Sequence, residues 1–230
     1  MKKLLLQTIL LTMTILGCHA ETDDWQPTPE WPFIYADFKS AVITTTQNKI
    51  IKAQANVHIG RHFLWYKSAS NQNLEAKHGT FKEIKFSDGS RFIEAEGKAC
   101  RIVSEDTVSG KIRRLLVSKE IDMEQYNETV RNRKRAESSS GIDIIGLNDL
   151  NIDMSVRATA GNADSEPLPL REVYYIQVDN DTFEATESKI LKHLANKEER
   201  TAYRVYTRKA EIITGSLKSM YDLYTTFFLK

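Results

Sequence analysis

The stretch RFIEAEGKACRIVS, residues 91–104, decides the fold class of this chain. Two short runs, 91–96 and 99–104, are rich in aromatic and β-branched residues, which favour strands. Gly97-Lys98 lies between them, at the point where a tight hairpin turn needs positive φ. The stretch therefore predicts an antiparallel β-hairpin.

The same pattern continues on both sides of this hairpin. Turn signals at Gln47-Asn48, Gly60-Arg61 and Asp88-Gly89 separate further short runs of strand-forming residues. The additional strands are predicted over 41–46, 50–59, 62–67, 81–86 and 111–118. We expect an antiparallel β meander that is rolled into a curved sheet or small open barrel, because linked strands must protect their edges.

The second half of the chain has a different character. Residues 126–169 show no clear periodicity, whereas 170–178 and 182–185 are typical of a hairpin and several helical patterns follow. Thr186 and the pair Asn196 and Glu199 are predicted to cap helices, and a stripe of apolar residues marks a closing helix over 217–228. The fold class is therefore predicted to be α+β. The predicted organisation is a signal peptide (1–20), an antiparallel β domain (30–125), a flexible linker or long excursion (126–169) and a hairpin plus helical region (170–230).

The first residues indicate export. Lys2 and Lys3 precede a run of mainly apolar residues that is too short for a comfortable membrane span, as in a signal peptide. Two processing routes fit the end of this segment. Residues 15–18 resemble a bacterial lipobox that would lipidate Cys18, and residues 18–20 also fit cleavage by ordinary signal peptidase. We expect a periplasmic protein or an outer-membrane lipoprotein.

Charge excludes some partners. The chain has 32 basic and 31 acidic residues, so no global field attracts nucleic acid or an anionic membrane. The basic residues within 131–135 are interpreted as a solvated run. We expect no nucleic-acid partner, and membrane contact only through a lipid anchor at Cys18.

The stretch EWPFIYADF, residues 30–38, carries a resemblance to a known family. Exported proteins of Bacteroidota often begin, after the signal peptide, with a motif of this kind, followed by short strands, a variable middle and small terminal helices. The sequence from Leu170 to Tyr175 resembles the strand that follows that middle. Because this family has no assigned activity, the resemblance implies export and architecture and brings no catalytic residue to this chain.

The aromatic residues of this opening stretch can serve in two ways. Trp31, Phe33, Tyr35 and Phe38 are predicted to form a clasp over one end or edge of the sheet, since Pro32 prevents a regular strand. The alternative is an exposed aromatic contact surface, which would include Trp65.

No pattern in the sequence predicts a cofactor, a metal or a catalytic centre. If Gly60-Arg61 is a two-residue turn, His58 and His62 point to opposite faces and cannot share a metal ion. Cys100 shares strand parity with Ile102 and is predicted to be a buried thiol. Glu94 and Glu96 are expected on one face of a strand, pointing to water.

We therefore expect a non-enzymatic envelope protein that binds a partner or scaffolds an assembly. A glycan-binding module is the first alternative and requires exposed, coplanar aromatic rings. A hydrolase whose site is not recognisable from sequence is the second, and requires a cleft with groups whose pKa values are shifted. The partner is expected to be an envelope protein or a glycan.

Overall fold

A computed structural model describes residues 25–139, 167–209 and 215–229. Cys18, the predicted signal peptide and residues 140–166 of the predicted linker lie outside these residues. The described chain is broadly α+β: ten antiparallel strands form one sheet that curls into a half-barrel, and four helices accompany it.

The strands vary from three to eleven residues, and their order in the sheet differs from their order in the chain. Their bounds are β1 Lys39–Thr45, β2 Ile50–His58, β3 Phe63–Lys67, β4 Asn73–Glu75, β5 Phe81–Phe86, β6 Arg91–Ala95, β7 Lys98–Val108, β8 Lys111–Ile121, β9 Leu170–Val178 and β10 Asp181–Glu184. The order across the sheet is β10-β9-β8-β7-β6-β5-β1-β2-β3-β4. The two end strands are the shortest, with three residues in β4 and four in β10.

The predicted meander is interrupted once. Consecutive strands pair from β1 to β4 and again from β5 to β10, but β5 pairs with β1 and not with β4. The sheet therefore consists of two antiparallel runs joined through β1. Strand β4 escaped the sequence analysis because Asn73-Leu74-Glu75 has little strand character.

Residues with positive φ mark the turns. Asn48 (φ 60°) and Gly89 (φ 87°) lie in predicted turns. In the hairpin of the opening stretch the turn pair is Glu96 (φ 45°) and Gly97 (φ 77°), one residue earlier than predicted. Strand β6 consequently ends at Ala95, so Glu96 is a turn residue and the prediction that it shares a strand face with Glu94 is wrong.

One face of the sheet carries most of the core. The register aligns Phe92, Arg101, Val117 and Tyr174 across four neighbouring strands, on what we call the inner face. Apolar residues of β1, β2, β3 and β5 fill the inner face of the curled half. Over β8 to β10, apolar residues of the C-terminal helices cover the same face. A smaller cluster that includes Cys100 lies on the outer face.

The C-terminal hairpin belongs to the same sheet. Strand β9 pairs with β8 along its whole length, from Ile121 opposite Leu170 to Arg113 opposite Val178. The sheet thus continues across the boundaries that were predicted at 125 and 170.

A helix occupies the start of the predicted linker. Helix α1 spans Met123–Ser139, and Asp122 Oδ1 accepts hydrogen bonds from the backbone N–H groups of Glu124 and Gln125, both at 3.1 Å. A carboxylate that satisfies free N–H groups in this way starts a helix. The expectation of irregular chain is therefore wrong for residues 126–139.

Three further helices follow β10: α2 Glu187–His193, α3 Lys197–Lys209 and α4 Leu217–Phe228. Asn196 caps α3 as predicted, since its Oδ1 accepts from Glu199 N at 2.8 Å. Thr186 precedes α2, but its side chain makes no capping bond. Among the described residues, no helix is both long enough and apolar enough to span a bilayer.

The buried apolar stripe of α4 differs from the predicted stripe, whose members are Leu217, Met220, Tyr221, Tyr224, Phe227 and Phe228. Met220, Leu223, Tyr224 and Phe228 are buried against the sheet. Leu217 is 41% exposed, so the helix presents a different edge to the core at its start.

Candidate functional site

The N-terminal clasp, residues 32–38, takes the place of β1 beside the end of β2. Pairing between β1 and β2 stops at Lys39 opposite Ala55. Beyond that point Ile34 N donates to Val57 O at 3.0 Å, and Ile59 N donates to Pro32 O at 2.8 Å. The clasp therefore provides β2 with a backbone hydrogen-bonding partner as far as the β2–β3 turn.

A buried amide holds the clasp in position. The side chain of Asn56 is fully buried. Its Oδ1 accepts from the N–H groups of Tyr35 (3.2 Å) and Val57 (2.9 Å), and its Nδ2 donates to the carbonyls of Tyr35 (2.9 Å) and Asp37 (3.1 Å). These side-chain bonds replace the backbone hydrogen bonds to β2 that are lost where the chain bends between the clasp and β1.

Four of the predicted aromatic residues meet on the outer side of the clasp. Phe33 is 1% exposed, and its ring lies 4.9 Å from Trp31, 5.6 Å from Phe38 and 5.7 Å from Trp65. The rings cross at 51°, 54° and 77° respectively. Tilted rings of this kind pack as a small core, and they do not offer a flat face for stacking.

Tyr35, the remaining predicted aromatic, lies apart from that cluster on the inner side. Its ring packs 5.1 Å from Phe86, and its hydroxyl is 2.7 Å from Ser90 Oγ. Burial raises the pKa of the Tyr35 hydroxyl well above its usual range, and the nearby charge of Arg101 only partly opposes this. The clasp therefore has an outer aromatic layer and an inner layer that closes the half-barrel.

A small cavity lies beneath this inner layer, at the end of the half-barrel that we call the mouth. Its volume is about 90 Å³. It is bordered by the clasp, the end of β2, the β2–β3 turn, and parts of β6, β7 and β8. The lining residues are Ile34, Tyr35, Val57, His58, Ile59, His62, Phe92, Ala99, Arg101, Val117, Ser118 and Lys119.

His58, the last residue of β2, and His62, in the β2–β3 turn, both border this cavity. His58 pairs with Phe63 as predicted. His62, in contrast, has φ 59° and belongs to the turn. The backbone carbonyl of His62 accepts a hydrogen bond from Ala99 N at 2.8 Å. The turn is therefore longer than the two residues Gly60-Arg61, so the condition under which the two imidazoles point to opposite faces is not met. The described residues nevertheless contain no cluster of three or more His, Cys, Asp or Glu side chains that could hold a metal ion.

Burial keeps both histidines neutral at physiological pH. His58 is fully buried, and desolvation, helped by the charge of Arg61, lowers its pKa to about 4. Its Nδ1 accepts from Arg61 N at 3.2 Å, which leaves the proton on Nε2, where no described residue accepts it. Burial also lowers the pKa of His62, and its Nδ1 has no hydrogen-bond partner among the described residues.

The charged residues that border the cavity are both cations. Arg101 projects from the inner face of β7, and among the described residues it makes no ion pair or side-chain hydrogen bond. Lys119 is exposed at the rim on β8. Its cross-strand neighbour Glu172 accepts from the Tyr174 hydroxyl instead. No carboxylate is among the lining residues.

The arrangement lacks an activated nucleophile among these lining residues. Tyr35 is held by Ser90, and Ser118 interacts with the Cys100 thiol on the outer face. Burial raises the pKa of Cys100 to about 12, so the thiol stays protonated, in agreement with the prediction of a buried hydrophobic residue. Outside the cavity, Glu94 bonds to His78 at 2.9 Å.

The aromatic residues of the clasp were predictable from the sequence, but the mouth was not. The strand parity that separates Arg101 from Cys100 was visible in the sequence, and an Arg on an inward strand face is unusual enough to indicate a site. The sequence does not reveal that the clasp and the β2–β3 turn close over Arg101 and form a cavity there. Comparisons with family models, with characterised proteins and with solved structures give no match for this chain.

Proposed function

We propose that this chain is an exported, non-enzymatic module of the cell envelope that binds a partner at the clasp and mouth. The proposal includes membership of the Bacteroidota family that its opening motif resembles. The observation that supports it best is the mouth itself: a cavity without a lining carboxylate, beneath a fixed clasp, whose guanidinium has no ion-pair partner among the residues that the structure describes.

Binding fits this geometry better than catalysis does. Groups that are fixed before a partner arrives reduce the entropy lost on association. The clasp is fixed by backbone bonds and by Asn56, and it carries Ala36 and Asp37 exposed beside the half-buried rings of Trp31 and Phe38. An enzyme would need a nucleophile or paired acid and base at the cavity.

Site-specific photocrosslinking in cells tests this function. A crosslinker is introduced at Ala36, which is exposed on the clasp, and in a matched control at Ala202, which is exposed on α3. We expect a defined crosslinked species from position 36 that is absent from position 202. Equal patterns from both positions, or no species from position 36, would contradict binding at the clasp.

Export and anchoring are tested separately. Mass spectrometry of the mature protein from a membrane fraction should show a chain that begins at or shortly after Cys18. A diacylglyceryl mass on Cys18 would establish the lipoprotein route, and an unmodified N-terminus after residue 20 would establish ordinary cleavage. An intact Met1 in the mature protein would contradict export.

A further inference from the structure

The mouth cavity is too small for an ordinary ligand. Ligand pockets usually occupy about 300–1,000 Å³, whereas this cavity has about 90 Å³. It can therefore admit only a group of a few non-hydrogen atoms, either a small ion or the end of a larger molecule.

The charges at the cavity determine the sign of that group. Arg101 is half-buried and, within the described part of the chain, has no anionic partner. A guanidinium withdrawn from water without a partner is costly, and a carboxylate or phosphate offsets that cost with paired, charge-assisted hydrogen bonds. Glu120, a carboxylate of β8 whose charge acts on His62, is paired with Lys98 and Arg171.

Two further groups extend this cationic surface. Lys119 adds a positive charge at the rim of the cavity, where its ammonium group meets solvent. The imidazole of His62 borders the same space and has a buried ring nitrogen without a described partner. Such a nitrogen can bond to an oxyanion directly when it carries a proton, or to a hydroxyl of a protonated phosphate when it does not.

We propose that the mouth cavity binds a small oxyanion, a carboxylate or phosphate group, through Arg101, Lys119 and His62. The proposal deepens the proposed function and rests on it, since the oxyanion is either a free ion or the terminal group of the partner. In both cases Arg101 is the principal contact, because its planar donor pairs match two oxygens of the same group.

Titration of the full mature chain with acetate and with inorganic phosphate tests the site, with chloride at equal ionic strength as the reference. The Arg101 Nε–H resonance in ¹H–¹⁵N spectra reports the contact directly. We expect a saturable shift with at least one of the two oxyanions and none with chloride. A response that is linear, or identical for all three salts, would overturn the proposal.

Two variants and one control locate the binding. The backbone amide resonances of the lining residues Ala99 and Lys119 report the affinity in every protein, since Arg101→Gln has no guanidinium resonance. Arg101→Gln should weaken the affinity by roughly tenfold or more, the loss expected for a charged hydrogen-bonding pair. Lys119→Gln, at an exposed position that does not endanger folding, should weaken it by a smaller factor. Arg204→Gln makes the same exchange on the exposed face of α3 and should leave the affinity unchanged. Equal affinities for all four proteins would also overturn the proposal.

A competition experiment distinguishes the two sources of the oxyanion. If acetate or phosphate reduces the crosslink formed from position 36, the group belongs to the partner. If the ion binds saturably and leaves the crosslink intact, the site holds a free ion beside the partner surface. A crosslink that forms in a protein without any oxyanion binding would reject this site while leaving the proposed function in place.

Discussion

Asn56 is the residue that most clearly separates this fold from a plain meander. Asparagine is disfavoured in strands, so its position within IIKAQANVHI, residues 50–59, was a visible signal of a special role. The sequence could not reveal its partners, because the carbonyls of Tyr35 and Asp37 approach it only after the chain bends between clasp and β1.

Replacement of Asn56 should destabilise the whole protein. Asn56→Ala leaves two N–H groups and two carbonyls without their bonds in a buried environment, which should lower the free energy of unfolding by roughly 3 kcal/mol. Urea unfolding measures the loss. Gln54→Ala, which removes one exposed bond to Ser40, should change it by less than about 0.5 kcal/mol. Similar losses in both variants would contradict the structural role of Asn56.

His58 should make stability depend on pH. Its pKa is 6.5 in the ordinary state and about 4 in the fold, so protons bind the unfolded chain more readily. The titration of His58 does not reduce the free energy of unfolding above pH 6.5, and it reduces it progressively as the pH falls towards 4. The loss can reach on the order of 3 kcal/mol, and the lowered pKa of His62 acts in the same direction.

Urea unfolding at about pH 7 and about pH 5 measures this dependence. In His58→Asn the side-chain oxygen can still accept from Arg61 N, but it cannot titrate, so the decline in stability should be smaller than in the unmodified protein. His78→Asn, at an exposed position that bonds to Glu94, should retain the full decline that His58 causes. An unchanged decline in His58→Asn would refute this assignment.

At the scale of elements, local patterns predicted most strands and the C-terminal helices but missed what depends on neighbours. The start of α1 at Asp122 had a recognisable cap, yet its helix was overlooked because its apolar residues have no clear period. Strand β4 exists because β3 offers it an unpaired edge. The pairing of β1 with β5 joins segments about forty residues apart, and no local pattern reports it.

The two predicted helix caps permit a direct comparison. Asn196→Ala removes the bond from Asn196 Oδ1 to Glu199 N and should lower the free energy of unfolding by about 1 kcal/mol. Thr186→Ala alters the residue before α2, whose side chain makes no capping bond, so its effect should be a few tenths of a kcal/mol. Thermal or urea unfolding gives both values. A larger loss for the Thr186 variant would reverse the assignment of the caps.

At the scale of the whole molecule, the continuous sheet predicts that both halves unfold together. The pairing of β8 with β9 crosses the boundary between the segments that the sequence treats as separate. Sequence analysis divided the chain because composition changes after residue 125, and composition carries no information about long-range pairing. The mouth depends on the same kind of contact, since the β2–β3 turn bonds to β7.

Cooperativity can be measured with probes that the chain already contains. All three tryptophans, Trp25, Trp31 and Trp65, report on the N-terminal half, whereas every described helix follows residue 122. Unfolding followed by tryptophan fluorescence and by the helical far-UV signal should give the same midpoint in urea. Two separate midpoints would show that the halves are independent domains.

The brevity of β4 and β10 affects how copies of this protein behave when crowded together. A foreign β-segment that added to β4 or β10 would find an end strand of only three or four residues. Hydrogen bonds to so few residues cannot offset the conformational entropy that a free strand loses when it docks. Short edge strands are one way in which natural sheets resist fibrous growth. We therefore expect that high protein concentration does not convert this protein into amyloid.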